Sequence, residues 1–118
     1  MSSLNLVRFA DEVLTFSARQ QIFAEGEPGD VMFVVKEGEV DIVVHGAVVE
    51  TIGPGGILGE MALIDRNPRS ATAVAKTDCQ LVPISEKRFQ FLVQQTPYFA
   101  IEVMRVLAQR LRHMDAER

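Results

Sequence analysis

The residues best suited to chemistry lie in one stretch of the chain, Gly56–Ala73, which reads GILGEMALIDRNPRSATA. Its glycines let the backbone come close to a ligand, because glycine carries no Cβ and tolerates positive φ. A helix that begins just after Gly59 leaves unpaired N–H groups at its first turn, and such groups attract phosphate. Arg69 can donate two hydrogen bonds to phosphate oxygens, and Glu60 can accept one from a sugar hydroxyl. An anion-binding position, a cation and a carboxylate together indicate a phosphorylated ribose.

The composition and charge of the chain argue against several classes of protein. With 118 residues, of which 47% are hydrophobic, the chain is long enough for one domain with its own core. Its formal net charge of −4 argues against a nucleic-acid-binding surface. No apolar run approaches the length of a membrane span, the N-terminus lacks a signal-peptide pattern, and the single cysteine, Cys79, cannot form an internal disulfide. We therefore expect a cytoplasmic protein that has neither nucleic acid nor a membrane as partner.

Short apolar runs separated by turn residues occupy most of the chain. Predicted strands lie at Glu12–Phe16, Gln21–Phe23, Val31–Val35, Val40–Val44, Ala47–Ile52, Ser70–Ala75 and Cys79–Ile84. A single helical turn is predicted at Gly59–Ile64. Because turn residues recur every few positions, the pattern predicts an all-β barrel or sandwich and not an alternation of strands and helices. Leu4–Val13 mixes apolar and charged residues, and the sequence leaves open whether it is a short helix or an irregular arm.

Two helices are predicted after the strands. Ser85 has the character of a helix N-cap with an acidic first turn after it. A second helix is predicted to begin at Thr96-Pro97, because proline in the first turn of a helix loses no hydrogen bond. Its apolar face contains Phe99, Val103, Val106, Leu107, Leu111 and Met114. We predict a single domain, residues 1–118, that is mainly β with flanking helices. An antiparallel β-roll covers about residues 12–85, and C-terminal helices cover about residues 86–117.

Two motifs carry a resemblance to a known family. The first is Gly59–Leu63, reading GEMAL, followed by Pro68–Thr72, reading PRSAT. The second lies upstream at Phe23–Val35, reading FAEGEPGDVMFVV, and is followed by the turn at Gly38–Val40. In this order, with a helix pair downstream, they resemble the cyclic-nucleotide-binding domain family. That family includes regulatory subunits of cAMP-dependent kinase, the bacterial catabolite activator and the cytoplasmic domains of cyclic-nucleotide-regulated channels.

The resemblance implies a ligand and a role for each site residue. Arg69 would pair with the cyclic phosphate, and Glu60 would accept the ribose 2′-hydroxyl. Backbone N–H groups would face the phosphate or ribose, and Ser70 would donate to the phosphate or contact a purine edge. The implied ligand-binding residues are Gly59, Glu60, Met61, Ala62, Arg69 and Ser70. The ligand would be cAMP, or cGMP in second place, with no metal ion.

The resemblance also implies a fold and an output. The β-roll would be a jelly-roll-like double-stranded β-helix with a short phosphate-binding helix. In the family no bond is broken, so the chain is expected to be a sensor and not an enzyme; binding draws the C-terminal helix over the base. Residues that contact the base would fall near His113, Met114 and Asp115. The expected partners are the nucleotide and an effector protein, and a homodimer through the C-terminal helix stays open.

Several features of the chain limit this interpretation. The sequence stops at Arg118 without a helix-turn-helix, so we expect a sensor that has no DNA-binding or catalytic domain of its own. Arg105, Arg110 and Arg112 are expected on the solvated face of the last helix, with the alternative that one of them closes over the purine. Cys79 is expected to be a buried small hydrophobe.

Two other functions are weighed against the sensor. The first is a β-roll that binds a protein partner without any dependence on nucleotide. The second is a β-roll enzyme, which is disfavoured because His45 and His113 stand far apart and no catalytic or metal-ligating cluster is visible in the sequence. Asp65, Arg66 and Asn67 are expected to form a solvated turn.

Overall fold

The computed structural model describes the backbone of residues 12–116 and the side chains of residues 12–112. Within that range the strands are β1 (Leu14–Phe16), β2 (Gln21–Phe23), β3 (Val31–Glu37), β4 (Val40–Val44), β5 (Ala47–Ile52), β6 (Ile57–Leu58), β7 (Thr72–Ala75) and β8 (Cys79–Ser85). The helices are α1 (Met61–Ile64), α2 (Glu86–Gln95) and α3 (Tyr98–Ala116). The predicted arm at Leu4–Val13 lies almost entirely outside the described residues.

The strands form two four-stranded antiparallel sheets. One sheet has the order β1-β8-β3-β6, and the other has the order β2-β7-β4-β5. The strand β3 is buried on both faces, which explains its continuous apolar run. Because successive strand residues point to opposite faces, Met32 and Val34 pack in the cluster with the helices, whereas Phe33 and Val35 pack in the cluster between the sheets. This confirms the predicted mainly β fold with flanking helices.

The cluster between the sheets contains the cysteine of the chain. Cys79 is buried, with 2% of its surface exposed, and packs with Val35 and Leu81. Burial, with a smaller contribution from the charge of Asp78, raises the pKa of the Cys79 thiol above its ordinary value. The prediction that Cys79 serves as a small hydrophobe is therefore confirmed.

The two C-terminal helices pack on the outer face of the first sheet. Ser85 caps α2, since its hydroxyl oxygen accepts a hydrogen bond from the Arg88 N–H at 3.2 Å. In α3 the buried residues Phe99 and Val103 belong to the same cluster as Met32 of β3. No helix in the described part of the chain is long and apolar enough to cross a membrane.

The structure differs from the sequence prediction in two details. Leu111 belongs to the predicted apolar face of α3, yet 62% of its surface is exposed. The strand predicted at Ser70–Ala75 begins at Thr72. It begins late because the backbone of Arg69 is bonded to the turn near Gly26: the Arg69 carbonyl accepts from the Gly26 N–H at 2.8 Å, and the Arg69 N–H donates to the Glu27 carbonyl at 2.8 Å. The predicted position of Met114 on the same face concerns a side chain outside the described residues.

Candidate functional site

A cavity of about 940 Å³ lies between the β-roll and the helix α3. All six residues predicted to bind the ligand line it: Gly59, Glu60, Met61, Ala62, Arg69 and Ser70. Most of its remaining wall is apolar, with contributions from Ile42, Val44, Val49, Leu58, Val106, Leu107 and Leu111. Polar groups at one end and apolar side chains elsewhere are typical of a small-molecule site.

Arg69 is held in a fixed position at the polar end of the cavity. It is 8% exposed. Its Nη1 donates to the Gly59 carbonyl at 3.1 Å and its Nη2 donates to the Val31 carbonyl at 2.9 Å. The guanidinium carbon lies 4.2 Å from the ring centroid of Phe23. The Nε atom is buried and makes no hydrogen bond to the described part of the chain. A buried cation with one unused donor is suited to an anion.

Desolvation lowers the pKa of Arg69, while the nearby charges of Asp30 and Glu27 act in the opposite direction. An arginine loses its proton only far above neutral pH, so the side chain remains charged. Its burial therefore leaves a positive charge that is incompletely solvated. A ligand anion would supply the missing partner.

Two glycines allow the backbone to come close to this guanidinium. A Cβ on Gly29 would lie 2.4 Å from the Arg69 Cζ, and a Cβ on Gly59 would lie 2.6 Å from its Nη1. Gly59 also has a φ of +74°, which disfavours any other residue. The role of Gly29 was not predicted from the sequence. The sequence signal was only the turn Pro28-Gly29-Asp30; in the structure the φ of Gly29 is not positive, so the close approach to Arg69 is the reason for a glycine there.

Glu60 is the second buried charged residue of the site. It occupies the N-cap position of α1 and is 3% exposed. Its Oε1 atom contacts Nη1 of Arg110, which reaches the cavity from α3. A carboxylate this deeply buried needs a cation or several hydrogen bonds to remain charged. Arg110 supplies that cation in the structure.

The placement of Arg110 corrects the sequence prediction. Arg105, Arg110 and Arg112 were expected on the solvated face of the last helix, and Arg105 and Arg112 are indeed exposed. Arg110, by contrast, has only 26% of its side chain exposed. It lies seven residues, or two helical turns, after the buried Val103, so it faces the β-roll. The seven-residue spacing from Val103 is the sequence signal that would have placed Arg110 on the face toward the β-roll.

The remaining predicted residues occupy the rim of the cavity and the backbone of α1. Ser70 is exposed and lies directly after Arg69. The Met61 side chain is 36% exposed. The Ala62 N–H already donates to the Gly59 carbonyl at 3.2 Å, so it is less available to a ligand than expected. Asp65, Arg66 and Asn67 form an exposed turn, as predicted.

The geometry suits recognition of a ligand that has an anionic part and an apolar, ring-shaped part. The guanidinium of Arg69 matches an anion, the carboxylate of Glu60 matches a hydroxyl donor, and the apolar wall matches a flat ring. Among the described residues, no group of three histidine, cysteine or carboxylate side chains is placed to hold a metal ion.

Comparisons with known proteins agree with this geometry. Residues 13–96, more than half of the chain, match the family model described as cyclic nucleotide-binding domain. The matched domain is a binding domain and not a catalytic one. The chain is 45% identical over 83 residues to a cyclic nucleotide-gated potassium channel of Mesorhizobium japonicum, which covers 70% of the chain and 22% of the channel.

One further curated relative and one solved structure are similar over most of the chain. The cyclic AMP receptor protein of Thermus thermophilus is 36% identical over 101 residues, which covers 81% of the chain and 47% of that protein. The crystal structure of the Thermus thermophilus catabolite activator protein superposes with a TM-score of 0.83 and 29% identity, over 98% of this chain and 56% of the other. The chain thus spans less than half the length of the potassium channel and of the cyclic AMP receptor protein. It belongs to the cyclic nucleotide-binding domain family.

Proposed function

We propose that the chain is a regulatory sensor that binds a cyclic nucleotide, cAMP in preference to cGMP, and breaks no bond in it. The observation that carries this proposal is the buried Arg69 guanidinium, whose Nε has no partner and which lines the same cavity as the Glu60 carboxylate. The names of the two curated relatives, a cyclic nucleotide-gated channel and a cyclic AMP receptor protein, support the same ligand class.

In the proposed complex the cyclic phosphate binds Arg69, and the ribose 2′-hydroxyl donates to Glu60. Ser70 adds a hydroxyl donor beside the phosphate, and the Gly59 and Met61 N–H groups lie along the same edge of the ligand. The Ala62 N–H contributes less than the resemblance implies, because the Gly59 carbonyl already accepts from it.

The preference for adenine follows from the apolar wall of the cavity. Val49, Leu107 and Leu111 line the same cavity as Arg69. These side chains offer no hydrogen bond to the carbonyl and amino groups of guanine, and burying such groups without partners is unfavourable. Adenine has fewer polar groups to satisfy at this wall.

We also propose the arrangement in which this sensor works. The chain acts in the cytoplasm as one domain of residues 1–118, with a β-roll over about 12–85 and helices over about 86–117. It acts without a metal ion and without contact to nucleic acid or a membrane. The helix α3 transmits the state of the cavity to an effector protein. The base contacts near His113, Met114 and Asp115 remain a prediction for side chains outside the described residues.

A homodimer through α3 is part of the proposal. Ile101 and Met104 are exposed on this helix, and with the half-buried Ala108 they follow the spacing of a coiled-coil seam. This stripe faces away from the buried Val103. Sedimentation of the wild type and of a Met104→Glu variant tests it: we expect a dimer that the charge dissociates. A wild-type monomer at high concentration would refute the dimer.

The experiment that tests the proposed function is a calorimetric titration with cAMP and with cGMP. The variants are Arg69→Ala and, as a matched control, Arg66→Ala, because Arg66 is an exposed arginine of the same segment that pairs with Glu86. We expect the wild type and the control to bind cAMP more tightly than cGMP. Loss of the charge-assisted phosphate contact in Arg69→Ala should cost about 2–5 kcal/mol. If the wild type gives no heat and no thermal shift at millimolar nucleotide, the proposal is refuted. The same absence of signal in Arg69→Ala alone is the expected result.

A second candidate function is a protein-interaction module that does not depend on nucleotide. The observation that favours it is a group of exposed apolar side chains on the two C-terminal helices: Phe91, Tyr98, Ile101 and Met104. Capture of a partner that neither cyclic nucleotide nor Arg69→Ala alters would favour this candidate. Capture that changes with nucleotide would favour the sensor.

A further inference from the structure

Arg110 is bound by acceptors on three separate segments of the β-roll. Its Nε donates to Glu50 Oε1 of β5 at 3.1 Å, its Nη2 donates to the Ile57 carbonyl of β6 at 2.8 Å, and its Nη1 contacts Glu60 Oε1 before α1. We call this set of contacts the Arg110 bridge. Two of the guanidinium nitrogens donate hydrogen bonds and the third makes an ion pair, so the bridge holds α3 on the β-roll in a defined orientation.

The two carboxylates of the Arg110 bridge have different surroundings. The Glu60 side chain is 4% exposed, whereas the Glu50 side chain is 41% exposed. Glu50 and Arg110 both line the large cavity and also a neighbouring cavity of about 330 Å³. The ion pair between them therefore forms part of the wall between the two cavities. Glu60 does not line the smaller one.

A β-bulge directs Glu50 toward Arg110. Ile42 of β4 pairs with Glu50, but the next residue, Val43, pairs with Val48, so Val49 is the extra residue of β5. Consecutive strand residues normally point to opposite faces. Here Val49 and Glu50 both line the large cavity, because the bulge changes the direction of the strand. The chain thus contains a local irregularity that places a second carboxylate at the bridge.

We infer that Glu50 is a positioning residue that keeps Arg110, and with it α3, docked on the β-roll while a ligand competes for Glu60. The part of this inference that concerns the ligand rests on the proposed function. A ribose hydroxyl that donates to Glu60 shares that carboxylate with Arg110. Glu50 and the Ile57 carbonyl then still hold the guanidinium, so the helix stays closed over the cavity during binding.

This role has a measurable effect on affinity. If the ligand binds best to the docked form of the helix, the apparent affinity is scaled by the fraction of molecules in which the helix is docked. Removing the charge of Glu50 lowers that fraction and leaves Arg110 dependent on the carboxylate that the ligand needs. Because Glu50 is partly exposed, we expect Glu50→Gln to weaken nucleotide binding about twofold to fivefold.

The first test is hydrogen exchange of the ligand-free protein. Glu50→Gln keeps the shape of the side chain and removes its charge. Glu86→Gln is the matched control, since it removes an ion pair of 2.8 Å with Arg66 outside the bridge. We expect the amides of residues 103–112 to exchange roughly twofold to fivefold faster in Glu50→Gln and at wild-type rates in the control. Unchanged exchange in Glu50→Gln would overturn the inference.

The second test separates positioning from a general structural effect. The affinity for cAMP is measured for the wild type, Glu50→Gln, Arg110→Gln and the double variant. If Glu50 acts through Arg110, its substitution has no further effect in the Arg110→Gln background. Equal losses in both backgrounds would overturn the inference. If the wild type binds no cyclic nucleotide, the proposed function fails, and the exchange experiment still decides whether Glu50 holds the helix.

Discussion

Arg69 and Arg110 reach the same cavity from two sides, and the chain holds them in different ways. Arg69 is buried within the β-roll, is fixed by two backbone carbonyls and stacks on Phe23. Arg110 is on a helix, is partly exposed and is bound mainly by carboxylates. The first keeps an unused donor for a ligand, whereas the second uses all its nitrogens within the protein. The comparison separates a cation fixed within the β-roll from a cation that holds a helix on the β-roll.

Of the three effects predicted from this comparison, the largest comes from filling the space beside Arg69. A Gly29→Ala substitution places a methyl group 2.4 Å from the guanidinium carbon, so the side chain must shift and lose its bond to Val31. We expect cAMP binding to weaken by about 1–3 kcal/mol, as measured by titration. Gly53→Ala is the control, because a Cβ there meets nothing within 4 Å. Equal affinities of the two variants would mean that the fixed position of Arg69 is unimportant.

A smaller effect is predicted for removing the Arg110 bridge. Arg110→Gln loses the charge that neutralises Glu60 and loosens α3, so both stability and nucleotide affinity should fall by about 1 kcal/mol each. Thermal unfolding and titration measure the two effects, with the exposed Arg112→Gln as the control. A variant that binds cAMP more tightly than the wild type would show that Arg110 opposes the ligand.

The smallest effect is the response of the two sites to salt. The ion pair of Arg110 with Glu50 is partly exposed and is therefore screened, whereas the buried Arg69 is screened much less. Between 50 mM and 500 mM salt, exchange of the α3 amides should rise about twofold, while that of the amides near Arg69 stays constant. An equal rise in both regions would remove the distinction between them.

The sequence predicts the part of the site that is built from neighbouring residues. Gly59, Glu60 and Arg69 lie within eleven positions of one another, and their types alone indicate a phosphorylated sugar. Gly29 and Arg110 lie 40 and 41 residues from Arg69. Their positions depend on how distant strands pair and on how a helix packs, which no local pattern specifies. For Arg110 the helical period offered a partial signal, since Val103 lies on the same face.

The fold was also predicted from local patterns of residues. The prediction missed details at single positions. The alternation of short apolar runs and turn residues indicates antiparallel sheets, and positive φ at both His45 and Gly46 matches the hairpin turn that joins β4 to β5. The exposure of Leu111 was not predicted, because hydrophobic residues on a helix do not reveal which of two faces is covered. The bulge beside Glu50 likewise left no mark in the composition of β5.

The central claim is that the unused donor of Arg69 binds the phosphate of a cyclic nucleotide. The most direct measurement is the ¹H–¹⁵N resonance of the Arg69 Nε–H during a titration with cAMP, assigned by its absence in Arg69→Lys. The account predicts a downfield shift that saturates at one equivalent, together with slower exchange with water. An Nε–H resonance that stays unchanged at saturating cAMP would contradict the account.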